Sequence, residues 1–357
     1  MHAVVMAGGV GTRFWPRSRR ARPKQLLPIA SGSSMLRLTV DRLLPLLPLE
    51  RLLVVTGTAQ AEGVRREIPD LPADNLLVEP VGRNTAPCIG LAAAGLRARG
   101  AAQESMVVLA ADHVIAAEER FRAALGACDE FVRRDDHLLT LGIRPTRAET
   151  GYGYIRAGAA AFEVAGQVFH PVERFVEKPD AATARRLFEA GGHLWNSGMF
   201  VWRVQRILDE LERHVPPLGA GLRRLEAAWG TSGWQARLND EYLAFPSVSI
   251  DYAVMEKAAD IWVAAVDIGW SDVGSWASLP ELRGTDPEGN VLPAGSLALQ
   301  ARGNIVEANG KTVVLLGVSD LIVVDEPDAL LVCHRDQAQQ VGEIPERLRR
   351  AGRESLT

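Results

Sequence analysis

The first half of the chain alternates short apolar runs with amphipathic stretches, and this alternation constrains the fold more than any other feature. Apolar runs fall at His2–Met6, Arg51–Thr56, Asn75–Val78, Met106–Ala110 and His137–Gly142. Between them, Ser33–Leu47, Gln60–Ile68, Ala86–Arg99 and Glu118–Arg133 place apolar residues at i, i+3 and i+4, a spacing that predicts helices. Parallel strands need a long crossover, which a helix supplies, so the pattern requires a mostly parallel sheet with helices on both faces. A second block, Gly151–Trp276, predicts strands at Tyr154–Arg156, Val168–Glu177, Gly198–Trp202 and Trp262–Asp267. It also predicts helices at Ala181–Glu189, Arg203–His214 and Tyr252–Lys257. From about Pro280 short β-rich pieces follow, punctuated by Gly and Asn; GNV at Gly289 and GNI at Gly303 suggest a repeated turn. The organisation read from these signals is an α/β core, residues 1–280, and a β-rich segment, residues 281–357, ending in a helix at Gln337–Arg350.

Composition removes several functional classes. The 357 residues, 47% hydrophobic and 24% charged, suffice to bury a core without covalent staples. No apolar run reaches the roughly 18 residues that a membrane span needs. The start, MHAVVMAGG, lacks the basic and apolar regions of a secretory leader. Cys88, Cys128 and Cys333 form no C-x-x-C pair, which points to a reducing compartment and to no zinc ribbon. A net charge of −4 argues against a nucleic-acid partner. A soluble, cytoplasmic chain with no membrane partner is expected.

Charge is distributed unevenly along the chain. Arg13, Arg17, Arg19, Arg20, Arg22, Lys24 and Arg37 all precede the first carboxylate, Asp41. Such a block is either a solvated basic face or the seat of a polyanion. Gly8, Gly9 and Gly11, directly after the apolar run Ala3–Met6, favour the second reading. Glycines after a strand let backbone N–H groups turn toward an anion at a helix N-terminus. The dinucleotide fingerprint fails, because Phe14 stands where its third glycine belongs and no acid follows near residue 30. The P-loop pattern fails as well. What remains suits a triphosphate held by loop N–H groups, Arg13 and Lys24.

Of the 40 Lys and Arg residues only Lys24, Lys178, Lys257 and Lys311 are lysine. A lysine kept in so arginine-rich a chain marks a place for a compact point charge, unless chance alone retained it. VVLAADH carries Asp112 at the end of an apolar run, and GWSDVGSW sets Asp272 in a turn of small residues. Two carboxylates with phosphate oxygens would hold Mg2+. The plain alternatives are a helix cap for Asp112 and an Asx turn for Asp272. His113 has no second histidine at ligand spacing and reads as a packed residue. FVEKP, with Glu177 and Lys178, reads alone as a surface ion pair, and WNSGMF as a tight turn.

In order along the chain, GGVGTRFWPRSR, PKQLLP, EPVGRNTAP, AADH, GYGYI, FVEKP, WNSGMF and WSDVGSW resemble the mannose-1-phosphate guanylyltransferases, also called GDP-mannose pyrophosphorylases. The resemblance implies a Rossmann-like nucleotidyltransferase core and a C-terminal left-handed β-helix-like segment. It also implies the reaction of GTP with α-mannose 1-phosphate to give GDP-mannose and pyrophosphate, with Mg2+ as cofactor. Carried onto this sequence, Gly8, Gly9, Gly11, Thr12 and Arg13 would hold the triphosphate, and Lys24 would neutralise the leaving pyrophosphate or the α-phosphate. Glu79, Pro80, Asn84 and Thr85 would face the guanine. Gly153, Glu177 and Asn196 would meet the mannose hydroxyls, Lys178 its phosphate, and Asp112 and Asp272 the metal. Arg13, Lys24 and Lys178 would be the catalytic cations. A homodimer is compatible with the resemblance. Long family members add a cupin-like isomerase domain, for which this chain has no room, so no isomerase activity is expected. The competing expectations are another sugar-1-phosphate nucleotidyltransferase, or a non-catalytic regulatory paralogue that binds GDP-mannose.

Overall fold

Ten strands form one mixed sheet in the computed structural model, which describes all residues from Met1 to Thr357. The first part runs β1 (His2–Met6), α1 (Met35–Leu43), β2 (Leu52–Gly57), α2 (Ala61–Glu67), β3 (Leu76–Glu79), α3 (Thr85–Ala98), β4 (Ser105–Ala110), β5 (Val114–Ile115), α4 (Glu118–Asp135) and β6 (Leu138–Ile143). The second part adds β7 (Tyr154–Ala157), β8 (Phe162–Val164), β9 (Gln167–Val176), α5 (Ala181–Ala190), β10 (His193–Arg203), α6 (Val204–His214), α7 (Pro216–Ala228), α8 (Trp234–Ala244), β11 (Ile261–Val266), β12 (Trp270–Ser271) and α9 (Leu279–Arg283).

The strand order is β3-β2-β1-β4-β10-β6-β11-β9-β7, with β8 on β9. Pairings among β3, β2, β1 and β4 are parallel, as the alternation requires, and so is β6 with β11. The remaining pairs, made by β10 and β9 with their neighbours, are antiparallel. Side chains alternate along each strand. In β1 and β4, Val4, Met106 and Val108 join the core beneath α3, α6 and α7, while Ala3, Val5, Val107 and Leu109 join the core beneath α1, α2 and α4. No helix is long and apolar enough to cross a membrane.

Four expectations from the sequence change. WNSGMF is part of the long strand β10, with a bulge between Asn196 and Phe200 and Gly198 at φ +70°, rather than a free turn. Tyr252–Lys257 is replaced by one π-helical turn, Asp251–Met255. The terminal helix shrinks to α10 (Ile344–Arg350), preceded by two 3-10 turns, because Pro345 provides a first-turn start and cannot sit inside a longer helix. The glycine loop leads into a three-residue 3-10 turn, Thr12–Phe14, so loop amides and not a helix dipole are available to an anion.

After α9 come β13 (Leu297–Leu299), β14 (Ile305–Glu307), β15 (Val314–Leu316), β16 (Leu321–Glu326), β17 (Ala329–His334) and α10. The coils stack in parallel: Val291 pairs with Ile305, Ile305 with Ile322, and Leu297 with Val314. Buried Asn290 and Asn304 link the coils. Asn304 donates to Asn290 Oδ1 at 2.9 Å and to the Val318 carbonyl at 3.1 Å. This is a β-helix-like stack, and it does not stand apart from the rest. Phe14, Trp15 and Trp276 share one core with Val291, Ile305, Ile322 and Val341. Trp15 also donates its indole N–H to the Leu356 carbonyl at 2.8 Å.

Candidate active site

Gly8 to Gly11 leave the C-terminal end of β1, at the edge where open parallel sheets bind ligands. Gly11 lies at φ +68°, and a Cβ there would run into the Lys24 side chain, so only glycine lets the loop close over that lysine. Gln25 donates to the Ala7 carbonyl at 2.7 Å and Ser18 to the Gly11 carbonyl at 2.8 Å, lacing the loop from below.

The basic block is partly neutralised, two of its arginines by the C-terminal segment, and does not form one anion-binding face. Arg17 meets Glu307 at 2.6 Å and Glu326 at 2.8 Å, with all three side chains nearly buried. Arg19 pairs with Asp328, and Arg37 with Asp41. Those acids lie hundreds of residues away or one helical turn on, so sequence order hid them. Arg13 keeps its charge free of carboxylates; its guanidinium donates to the Gly274 carbonyl at 2.9 Å.

Lys24 is 5% exposed and links the two predicted metal residues, one through its carboxylate and the other through its backbone. Its ammonium donates to Asp112 Oδ2 at 2.8 Å and to the Asp272 main-chain carbonyl at 2.7 Å. The short pairing of β5 with β12, Ile115 opposite Trp270 and Val114 opposite Ser271, brings these distant turns together. Burial opposes ionisation of Asp112, but the Lys24 ammonium outweighs it and holds the carboxyl below its ordinary range. Burial likewise lowers the His113 pKa, and the Trp270 indole N–H donates to its Nδ1 at 3.2 Å. His113 is therefore the packed, hydrogen-bonded histidine that its sequence setting indicated. Tyr152, which sequence reasoning passed over, donates its hydroxyl to Asp272 Oδ1 at 2.7 Å. No group of three or more His, Cys, Asp or Glu side chains is placed to hold a metal ion by itself. Two hard carboxylates beside a phosphate loop nonetheless fit a cation that draws its other ligands from phosphate and water.

Gly153, Glu177 and Asn196 form a second group. A Cβ on Gly153 would strike Glu177 Oε2 and lie 3.2 Å from Asn196 Cβ. The Asn196 carboxamide is fully oriented: it accepts from Thr140 and Gly198 N at 3.2 Å and donates to Asp251 at 2.8 Å. Glu177 and Lys178 are paired at 3.2 Å, yet the glutamate is buried and the lysine exposed, unlike an ordinary surface pair. Glu177 Oε2 is buried without a partner, and burial together with nearby Asp251 raises the Glu177 pKa. Burial raises Asp251 as well. Asp251 carries no spacing signal of its own and was missed.

Glu79 ends β3 beside the glycine loop, 6% exposed, and a Cβ on Gly8 would lie 3.8 Å from its Oε2. Burial pushes its carboxyl up to about 7, although the Tyr242 hydroxyl donates to Oε1 at 2.8 Å. Pro80 follows directly. Asn84, at φ +69°, caps α3 by accepting from Thr85 N at 2.8 Å, and the Thr85 hydroxyl accepts from Ile250 N at 2.8 Å. Both side chains thus brace α3. Asn84, Lys178 and Val273, each within a motif, are among the eight non-glycine residues at positive φ.

A cavity of about 1400 Å³ is walled by Arg13, Tyr152, Lys178, Trp195, Trp270 and Asp272, with Arg144, Arg147 and Gln339 also on its surface. Lys24, Glu79, Asn84, Thr85, Asp112, Gly153, Glu177 and Asn196 lie outside its wall. Of the predicted residues, Arg13, Lys178 and Asp272 line this cavity, and Lys24 links Asp272 to Asp112 beside it.

A family profile described as nucleotidyl transferase matches residues 2–288, and one described as MannoseP isomerase/GMP-like beta-helix domain matches residues 296–348. The chain is 40% identical over 359 residues to the mannose-1-phosphate guanylyltransferase of Escherichia coli (strain K12), covering 99% of this chain and 74% of that protein. It is 38% identical over 357 residues, with the same coverage, to the xanthan biosynthesis protein XanB of Xanthomonas campestris pv. campestris (strain B100). Among solved structures, one described as a mannose-1-phosphate geranyltransferase from Thermus thermophilus superposes with a TM-score of 0.87. It is 39% identical and covers 98% of this chain and 99% of that one.

Proposed function

The chain belongs to the nucleotidyl transferase family, among the mannose-1-phosphate guanylyltransferases, and on that premise we propose that it transfers GMP from GTP to α-mannose 1-phosphate. The products are GDP-mannose and pyrophosphate. The observation that carries this reading is the junction of Lys24 with Asp112 and Asp272 at the mouth of the glycine loop.

The nucleophile is a phosphate monoester oxygen, already largely ionised near neutral pH because its second pKa is about 6, so no side-chain base is needed. The task of the chain is to bring two anions together and to stabilise the leaving pyrophosphate. The amides of Gly8 to Thr12 and the Arg13 guanidinium bind the triphosphate. Lys24 leans on Asp112 in the free protein and turns its ammonium to the phosphates when they arrive. Glu79, Pro80, Asn84 and Thr85 shape the guanine side; Gly153, Glu177 and Asn196 take the mannose hydroxyls, and Lys178 the sugar phosphate. Asp112 and Asp272 hold the divalent cation, taken here as Mg2+, which when bound screens phosphate charge and favours departure of pyrophosphate. Residues 1–280 carry every group assigned to substrate, while residues 281–357 brace the glycine loop through Arg17 and Trp15.

The exposed Leu297, Leu299, Val314 and Leu316 on β13 and β15 support a homodimer formed through this face. Three unpaired cysteines support a reducing, cytoplasmic setting. The test is pyrophosphate release with Asp112→Ala, Asp272→Ala and EDTA. We expect each to remove most turnover, and Asp112→Ala also to lower the melting temperature, because it strands the buried Lys24 ammonium; near-normal turnover of Asp272→Ala in saturating Mg2+ would return that residue to a turn-forming role.

A further inference from the structure

We infer that Tyr152 is a positioning residue, whose hydroxyl fixes the Asp272 carboxylate so that one defined oxygen is left for the divalent cation. The inference rests on the metal role proposed above for Asp272.

Asp272 sits in a turn with little freedom. Its main-chain carbonyl accepts from Lys24 at 2.7 Å, and the next residue, Val273, is fully buried at φ +48°. A β-branched residue is strained in that region and stays there only because its surroundings hold it. The turn thus fixes where the carboxylate starts but leaves its side-chain torsions open. Tyr152 closes that freedom by donating to Oδ1 at 2.7 Å. Its own ring is wedged edge-on against Trp195 and Trp270, with centroids 5.1 and 5.2 Å away. Oδ2 accepts no hydrogen bond from the protein, and a Cβ on Gly274 would crowd the carboxylate, 3.2 Å from Oδ2 and 3.4 Å from Oδ1, with the Arg13 guanidinium 3.6 Å away.

The position in the chain adds a second consequence. Tyr152 is followed by Gly153, which lies against Glu177 and whose carbonyl accepts from Asn196 N at 2.8 Å. Two consecutive residues therefore tie the proposed metal turn to the proposed sugar pocket. A hydroxyl that orients a metal carboxylate affects cation affinity while leaving the nucleotide's own contacts intact. Loss of such a hydrogen bond typically weakens metal binding about 10- to 100-fold.

The test is Tyr152→Phe in the full chain, with Asp272→Asn as reference, using Mn2+ and GTP without sugar phosphate so that no turnover occurs. GTP affinity by calorimetry with EDTA, and Mn2+ affinity by electron paramagnetic resonance in the presence of GTP, are measured for each. We expect Tyr152→Phe to bind Mn2+ about tenfold more weakly, with metal-free GTP affinity and melting temperature unchanged. In a separate assay with mannose 1-phosphate added, its reduced turnover should return as Mn2+ is raised. Unchanged Mn2+ affinity in Tyr152→Phe, with loss in Asp272→Asn, overturns the inference and leaves the proposed site standing. Unchanged Mn2+ affinity in both overturns the proposed site itself.

Discussion

Replacing Glu79 with Gln should remove a pH dependence of stability that the fold imposes on the parent. Glu79 is 6% exposed, and burial moves its carboxyl from 4.5 to about 7. In the unfolded chain it titrates near its ordinary value. Between those pH values the folded state holds a proton that the unfolded state has lost, so stability falls as pH rises through the window. At about 1.4 kcal/mol per pH unit, the loss is about 2 kcal/mol between pH 5 and 7, and about 3 kcal/mol once pH 8 is passed. Glutamine keeps an acceptor for the Tyr242 hydroxyl at the same place and carries no charge. Urea unfolding at pH 5, 6, 7 and 8 on both proteins reads the difference directly. The variant should match the parent at pH 5 and exceed it by about 2 kcal/mol at pH 7. Parallel pH profiles for the two proteins would overturn this expectation, because the carboxyl would then titrate alike in both states.

Arg17→Ala should destabilise the fold by about 3 kcal/mol, since it strands Glu307 and Glu326 in a buried setting with only Arg283 left to one of them. Because that pair ties the glycine loop to the β-helix-like stack, calorimetry should also show weaker GTP binding; full GTP affinity would mean the stack does not brace the loop. Lys178→Ala should raise the KM for mannose 1-phosphate roughly tenfold or more, from loss of a charge-assisted contact, and leave GTP binding little changed. Lys178→Arg should also lose activity, because a planar fork replaces a compact ammonium at a backbone position with φ +42°. Equal damage to both substrates would move Lys178 between the phosphates.

Much of the core was legible because its signals are local. Strand β1 and helices α2, α3 and α4 fall within a few residues of their apolar patterns, since parallel strands and amphipathic helices announce themselves within one window. The unread elements lack such signals. Helices α7 and α8 begin with Pro216-Pro217 and Trp234, and Gly219 and Gly221 in the first make room for Glu212 and Phe245. In the stack, the step from Gly289-Asn290-Val291 to Gly303-Asn304-Ile305 is 14 residues, but the next is 17. The third turn then uses Asp320 at φ +55° where the first two use glycine. Unequal coils leave no sequence period to find. The site divides in the same way. Motif residues could be named from sequence, but Tyr152 and Asp251 act through contacts 120 and 55 residues away. The acids that neutralise Arg17 and Arg19 lie farther still.

The proposed transfer is read most directly by following the α-phosphate itself. The purified chain is incubated with α-labelled GTP, mannose 1-phosphate and Mg2+, and the products are separated. All transferred label should appear in GDP-mannose, with one unlabelled pyrophosphate released per product, while ATP, UTP and CTP give little. A guanine site that leaves buried polar groups unpaired by another base should discriminate by a few kcal/mol. Label that stays in GTP, or equal transfer from UTP, would contradict the assignment.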